Sequence, residues 1–296
     1  MFYTKEKVQE LRSKNLLVFE EPNHIKIELS TYCNLECEFC GKPRTNKGFM
    51  TEEIFEKILK DMPSSVKRVD FSMHGEPTLH PKFPFFLKEL KQAHPHIRTL
   101  LITNIETLKR KGFEKVLEYY GSGLNFIMMD LYSKENSEWL HQNILDYKED
   151  LKDIKIVDFY KEKKNPWNMP FSVKKALFFV EEYSGNLEEG VYKIRKFHTF
   201  GGNIPFEIWQ KYSDYTFSNF PIKKVCTEPL KILVINQNGD IPICCQDGGK
   251  SLVLGNILQK SILEIWHSKE IFVCRFLLHK GLRHFLIPCV LCPVLS

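Results

Sequence analysis

The sequence has no apolar run long enough for a membrane-spanning helix, and Met1-Phe2-Tyr3-Thr4-Lys5-Glu6-Lys7 carries no signal-peptide core. It also lacks any long block of like charge. The 42 basic and 37 acidic residues are dispersed, so the net charge of +5 hints only weakly at anionic ligands and gives no nucleic-acid footprint. Membrane and nucleic acid are therefore not expected partners, and the expected setting is cytoplasmic. There the nine cysteines are reduced or metal-bound rather than a disulfide framework. Hydrophobic residues at 43% and charged residues at 27% are ordinary for a globular chain, and 296 residues can bury one large core or two smaller ones.

Against that plain background stands the run Cys33-Asn34-Leu35-Glu36-Cys37-Glu38-Phe39-Cys40. It offers three thiolates from one loop, straight after the apolar stretch Ile25-Lys26-Ile27-Glu28-Leu29. A structural zinc site closes with four ligands, whereas a 4Fe-4S cluster held by three cysteines leaves one iron for a non-protein ligand.

Periodicity predicts an amphipathic helix over 4–13, outside the main pattern, and then alternating strands and helices. Strands are expected at 25–29, 67–73, 98–103, 124–130, 154–159 and 191–198, with helices at 51–61, 82–93, 105–120, 134–147 and 173–184. Thr51 before Glu52 and Glu53 suits a helix start. Strand followed by helix, six times, implies parallel strands with crossovers: an α/β fold in the form of a partial (β/α)6 barrel, with ligands at the C-terminal strand ends.

After about residue 215 the pattern changes. Cys226 precedes an apolar stretch at 230–235, the turn Asn236-Gln237-Asn238-Gly239-Asp240 and a second stretch ending at Cys244, which predicts a hairpin. Helices are expected at 261–267 and 268–280, before Cys289-Val290-Leu291-Cys292. The expected division is an N-terminal extension 1–24, a barrel 25–215 and a cysteine-bearing module 216–296. A hairpin cysteine with a terminal Cys-x2-Cys is also how a zinc ribbon is built, and zinc is the rival for this site.

Cys33-x3-Cys37-x2-Cys40 after a first strand resembles the cluster loop of the radical S-adenosylmethionine (SAM) superfamily. Met73-His74-Gly75-Glu76-Pro77 is similar to that family's Gly-Gly-Glu-Pro segment, with His74 in place of a glycine, and Thr103-Asn104 is similar to the pair that ends its third strand. The fourth strand ends in Met128-Met129-Asp130, where relatives commonly carry a small polar residue before the acid. From 226 onward, Cys226, Gly239, Cys244, Leu254-Gly255-Asn256-Ile257, Ile265-Trp266 and Cys289-x2-Cys292 resemble the SPASM/twitch class of auxiliary-cluster domains. The spacing is most similar to that of twitch-type dehydrogenases that oxidise an alcohol carbon of an aminocyclitol.

The resemblance implies two 4Fe-4S clusters and SAM. Cys33, Cys37 and Cys40 would hold the first cluster, and Cys226, Cys244, Cys289 and Cys292 the auxiliary one. Gly75, Glu76, Pro77, Thr103, Asn104 and Asp130 would line the SAM site. Cleavage of SAM would give a 5′-deoxyadenosyl radical that abstracts hydrogen from a small polar substrate, with an external reductant such as flavodoxin or ferredoxin supplying the electron. Oxidation of a carbinol or similar carbon is the favoured outcome. Epimerisation with Cys245 returning a hydrogen atom is one alternative, and maturation of a ribosomal peptide is another, ranked lower because only about 24 residues precede the first strand. A non-catalytic zinc-binding module is the alternative from a different class.

Arg195, His198 and Asn203 are candidate substrate contacts, although their glycine-rich surroundings also suit a plain turn. Lys42 and Arg44 add positive charge beside Cys40. Asn165 and Trp167 fall in a possible lid, Asp247 reads as a turn acid, and Cys274 as a buried apolar thiol.

Overall fold

The computed structural model describes residues 21–38, 40–41, 47–164, 166–181, 204, 207 and 221–292. The helix expected at 4–13, the strand expected at 191–198, and Lys42, Arg44, Asn165, Arg195, His198 and Asn203 lie outside the described residues.

Seven strands form one parallel sheet: β1 His24–Ile27, β2 Arg68–Phe71, β3 Arg98–Thr103, β4 Phe126–Leu131, β5 Lys155–Asp158, β6 Ala176–Glu181 and β7 Ile232–Ile235. Their order is β5-β6-β4-β3-β2-β1-β7. Helices Glu52–Asp61, Phe83–Ala93 and Lys134–Asp146 cover the outer face, each near its expected place. Thr51 caps the first of these by accepting from the Ile54 N–H. The helix expected over 105–120 is two, Glu106–Lys111 and Glu114–Gly121. They are separated at Gly112, whose φ of 94° suits glycine and ends a helix.

Two expectations are corrected. The helix over 173–184 is instead β6, inserted between β4 and β5. Ala176–Val180 is buried on both faces, and a short strand buried on both faces has the same continuous apolar run as a buried helix. The hairpin expected over 230–244 is a turn whose two strands part. β7 joins the main sheet beside β1, whereas β8 Asp240–Pro242 pairs antiparallel with β9 Val253–Asn256. The turn itself is present, with Gly239 at φ 85° and its N–H donating to the Asn236 carbonyl.

Alternation along the strands separates two environments. Ile25, Ile27, Phe71, Leu101, Ile127 and Leu177 pack with Phe55, Ile58 and Phe86 in the main core. The opposite face is apolar along β3 to β6, where Leu100, Phe126, Phe178 and Val157 cluster. Along β1 and β2 it is charged. Asp70 accepts from Arg68 Nε at 2.6 Å and Nη2 at 2.7 Å, and lies 2.8 Å from His24 Nε2. Burial alone would raise the Asp70 pKa, but His24, Arg68 and Lys26 hold it below the ordinary value.

The loop after β1 is seated by close backbone contacts. Ser30 bridges to Phe49, the Thr31 hydroxyl and the Gly48 backbone bond one another, and the Glu76 N–H donates to the Tyr32 carbonyl at 2.8 Å. A Cβ on Gly75 would lie 1.9 Å from the Ser30 carbonyl oxygen. His80 holds the segment before the first helix: its Nε2 bonds the Met50 carbonyl at 2.9 Å while its Nδ1 accepts from the Lys82 N–H at 3.1 Å. That pairing requires the neutral ring.

Gly75→Ala should therefore displace the cysteine loop, destabilising the fold by on the order of 3 kcal/mol and reducing iron uptake, read by urea unfolding and iron content after anaerobic reconstitution. A second expectation concerns acid. Burial lowers the pKa of His24, His74 and His80, that of His74 from 6.5 to about 4, with Lys250 adding to the His74 shift. A lowered folded pKa means that the unfolded chain binds protons first as pH falls, so stability is full above about 6.5 and declines below it. At pH 5 the loss from His74 alone should be on the order of 2 kcal/mol, read from urea midpoints at pH 7.5, 6 and 5.

Candidate metal and cofactor centre

Parallel strands place their C-terminal ends together, and the two cysteine sets follow from that. β1 runs into Cys33, Cys37 and Cys40, and β2 into Met73–Pro77. β3 runs into Asn104, and β7 into the 236–239 turn and the loop carrying Cys244. No disulfide joins any of the nine cysteines.

In the first set all three cysteines are half-buried. Cys33 Sγ accepts from the Leu35 N–H and from Asn104 Nδ2, each at 3.5 Å, the kind of donors that stabilise a metal-bound thiolate. Cys40 Sγ lies 3.8 Å from the His74 carbonyl, and the Cys40 N–H donates to Cys37. Three thiols, with no fourth cysteine or histidine among the described residues of the loop, fit a cluster that keeps one iron open.

The residues expected around SAM are tied to one another. Glu76 Oε1 accepts from Thr78 Oγ1 at 2.6 Å, Thr103 Oγ1 at 2.8 Å and the Thr78 N–H at 3.1 Å. Its Oε2 accepts from the Asn104 N–H at 2.9 Å. Burial raises the Glu76 pKa, and these donors oppose the rise. The carboxylate thus pins the end of β3 to the loop after β2, and the Glu76 and Pro77 backbone is itself bonded to Tyr32, Leu79 and His80, so that within Gly75-Glu76-Pro77 the half-buried residue is Gly75. Asn104 donates to Asn34 Oδ1 at 3.0 Å as well as to Cys33. Asn34 was not singled out from the sequence, although its place between two ligand cysteines was a signal for it. Asp130 is half-buried at the end of β4, and its neighbour Met128 packs with the apolar inner wall.

In the second set Cys226, Cys289 and Cys292 are buried and Cys244 is half-buried. Cys226, Cys274 and Cys289 share one apolar cluster with Ile243 and Leu278, and Cys244 packs against it. Burial, and then the nearby Cys245, Cys292 and Cys289, push the Cys244 pKa far up. Cys289 is raised by burial and by Cys292 and Cys226. Two thiols whose ionisation their cysteine neighbours hinder, Cys244 and Cys289, suit a shared cationic centre. Cys274 is pushed to about 11 mainly by burial, as expected of an apolar thiol.

Arg283 was also missed. Almost fully buried, it donates to the Lys224, Val225 and Cys292 carbonyls, and so clamps the chain before Cys226 to the last cysteine. A lone arginine in an apolar stretch gives no spacing signal. Asp247 accepts from the Ser251 N–H and hydroxyl and from the Leu252 N–H, all within 2.9 Å, which makes it the expected turn acid.

The loop between the two sets touches both. Cys244 and Cys245 open it, and a Cβ on Gly248 would lie 2.3 Å from the Gly41 carbonyl and 3.2 Å from the His74 ring. Lys250 then reaches Gln237 Oε1 at 2.8 Å and Glu28 Oε2 at 3.4 Å. Cys245 Sγ faces inward and accepts from Lys26 Nζ at 3.6 Å.

Residues 27–167 match the radical SAM superfamily, and residues 226–293 match the SPASM iron-sulfur cluster-binding domain. Over 112 residues, 36% of this chain and 31% of the relative, the chain is 32% identical to the tungsten-containing aldehyde ferredoxin oxidoreductase cofactor-modifying protein of Pyrococcus furiosus. It is 20% identical over 277 residues, 88% of each chain, to the S-adenosyl-L-methionine-dependent 2-deoxy-scyllo-inosamine dehydrogenase of Niallia circulans. The crystal structure of BtrN in complex with AdoMet and 2-DOIA superposes with a TM-score of 0.65 at 18% identity, covering 93% of this chain and 94% of that one. At that identity the likeness is one of fold. The two matched regions carry the two cysteine sets, and the chain contains a radical SAM domain followed by a SPASM iron-sulfur cluster-binding domain, with 4Fe-4S clusters and SAM as its cofactors.

Proposed function

We propose that the chain is an oxidoreductase that removes two electrons from a carbinol or similar carbon of a small polar substrate. The observation that carries the reading is the second all-cysteine set, Cys226, Cys244, Cys289 and Cys292, whose loop packs through Gly248 against Gly41 beside the first set. When bound, the first cluster and SAM supply a 5′-deoxyadenosyl radical that abstracts a hydrogen atom from an unactivated carbon.

In this reading the chain's own part is to hold, orient and exclude water. Cys33, Cys37 and Cys40 hold the first cluster. The Gly75-Glu76-Pro77 backbone, fixed by the Glu76 bonds to Thr78, Thr103 and Asn104, shapes the SAM site beside Asp130. The oxidation would balance with the carbon-bound hydrogen leaving on the deoxyadenosyl carbon, the hydroxyl proton leaving to water, and the remaining electron leaving to an iron-sulfur centre that Cys226, Cys244, Cys289 and Cys292 would hold. The partner that reduces the first cluster would be a one-electron carrier of the flavodoxin or ferredoxin kind.

A second reading is favoured by one observation. Cys245 faces the inner wall of the barrel, as a thiol returning hydrogen to a substrate radical would, and this suits epimerisation.

Anaerobic reconstitution should give about eight irons per chain, and Cys289→Ala should keep about four while still cleaving SAM. Zinc in place of iron in both sets would sink the enzyme reading. The two outcomes separate in deuterated solvent, using whichever candidate sugar or aminocyclitol raises 5′-deoxyadenosine formation. Oxidation leaves the product free of solvent deuterium and tolerates Cys245→Ala, whereas hydrogen return places deuterium in the product and is abolished by that substitution.

A further inference from the structure

Among the described residues of the inner wall, Lys26 is a cation with no acid bonded to it. Lys26 lies on β1, level with Asp70 of β2 and Val234 of β7. Its Nζ has one hydrogen-bond partner among the described residues, the Cys245 thiol at 3.6 Å. The acids nearby are committed elsewhere. Both Asp70 oxygens are taken by the Arg68 fork, with His24 on Oδ2, and Glu28 faces Lys250. Glu228 acts on Lys26 only through its field. Burial opposes the charge on Lys26, yet Cys245, Asp70 and Glu228 outweigh it and raise the pKa, so the side chain is an ammonium at neutral pH.

A charge in a low-dielectric interior is costly unless something pairs with it, and a sulfur at 3.6 Å is a weak partner. Lys26 is nonetheless only half-buried, as is Cys245, so both face accessible space. On the neighbouring strands Ile102 and Met128, also half-buried, belong to the apolar part of the inner wall, with Asp130 two residues beyond Met128 on the same face of β4 and Arg98 at the start of β3, over the Phe126 ring. A ligand here would meet the Lys26 ammonium on one side and hydrocarbon, with the Asp130 carboxylate at its edge, on the other.

We propose that Lys26 anchors an anionic group of the substrate, a carboxylate or a phosphate, and so places the substrate against Cys245 and the loop that leads to the auxiliary site. The inference rests on the reading that a small substrate occupies the inner wall, and it narrows the class. An aminocyclitol, which carries an amine, would set like charge against Lys26 and bind poorly. The expected substrate is an acid or phosphate ester with a neighbouring C–H centre.

The test uses reconstituted protein saturated with SAM, so that the SAM carboxylate cannot be the anion measured. Anaerobic calorimetry with inorganic phosphate and, separately, acetate should show saturable binding of at least one, and which one binds separates phosphate ester from carboxylate. Lys26→Met should weaken it by about tenfold or more, Lys26→Arg should retain it, and the surface change Lys280→Met should leave it unchanged. If the Met variant fails to hold iron, Lys26→Gln replaces it. No saturable binding of either anion, equal binding by the Lys26 variants, or tighter binding of 2-deoxy-scyllo-inosamine than of both anions would overturn the proposal. Iron content and SAM cleavage are read on the same samples. Normal values with no anion binding reject this inference alone, whereas absent iron rejects the cofactor reading beneath it.

Discussion

The placement of β1 between β2 and β7 constrains both cysteine sites at once. All three strands are parallel and in register, His24 facing Arg68 on one side and Ile232 on the other. Their C-terminal ends therefore deliver three loops to one place: the Cys33–Cys40 loop, the Met73–Pro77 segment, and the turn that leads to Cys244. Because the Glu28 N–H donates to the Ile235 carbonyl, the pairing continues one residue beyond the strand, into the approach to the first cysteines. A C-terminal module joined only by a linker would leave the distance between two redox sites to chance. Here one strand of the C-terminal region is an edge strand of the barrel sheet.

Close backbone approach does the remaining positioning, and it explains why glycine recurs at the junctions. Gly75 meets Ser30, and Gly248 meets Gly41; at each a methyl group would overlap a carbonyl oxygen. Side chains then lock the loops from within. The Glu76 carboxylate satisfies four donors, and Arg283 gathers three carbonyls around Cys226 and Cys292. Buried polar groups with all their partners present are rigid, because every displaced donor or acceptor would be left unpaired in a low dielectric. Such pre-organisation suits a site whose chemistry is performed by cofactors and whose protein must mainly hold and exclude.

Local patterns in the sequence were enough for features that depend on neighbouring residues. The cap at Thr51, the Asn236–Asp240 turn and the helices Glu52–Asp61, Phe83–Ala93 and Lys134–Asp146 lie where expected, and the helix expected over 105–120 differs by its break at Gly112. Features that depend on distant partners were hidden. β6 reads as a helix because burial on both faces erases the alternation that marks a strand. β7 and β8 read as a hairpin because the turn between them is a hairpin turn, and only pairing with β1, some two hundred residues away, draws β7 out of it. Glu76 is expected in a segment that lines the SAM site, and the partners of its carboxylate appear only once Thr78, Thr103 and Asn104 are seen around it.

The inner wall carries the functional difference between the two reaction outcomes. Oxidation and hydrogen return share every step through hydrogen abstraction, and both use a loop that starts at Cys244. They diverge on whether the substrate radical gives its electron to the site that Cys244 helps form or takes a hydrogen atom from Cys245, one residue further on. Cys244 packs toward the apolar cluster with Cys226 and Cys289, while Cys245 turns to Lys26 inside the barrel. On the proposed reading, one short loop would present both the auxiliary site and a thiol to the substrate, and the orientation of the substrate would select between them. The proposed anchor at Lys26 would fix that orientation, because the distance from the anionic group to the reacting carbon would decide which of the two lies nearer.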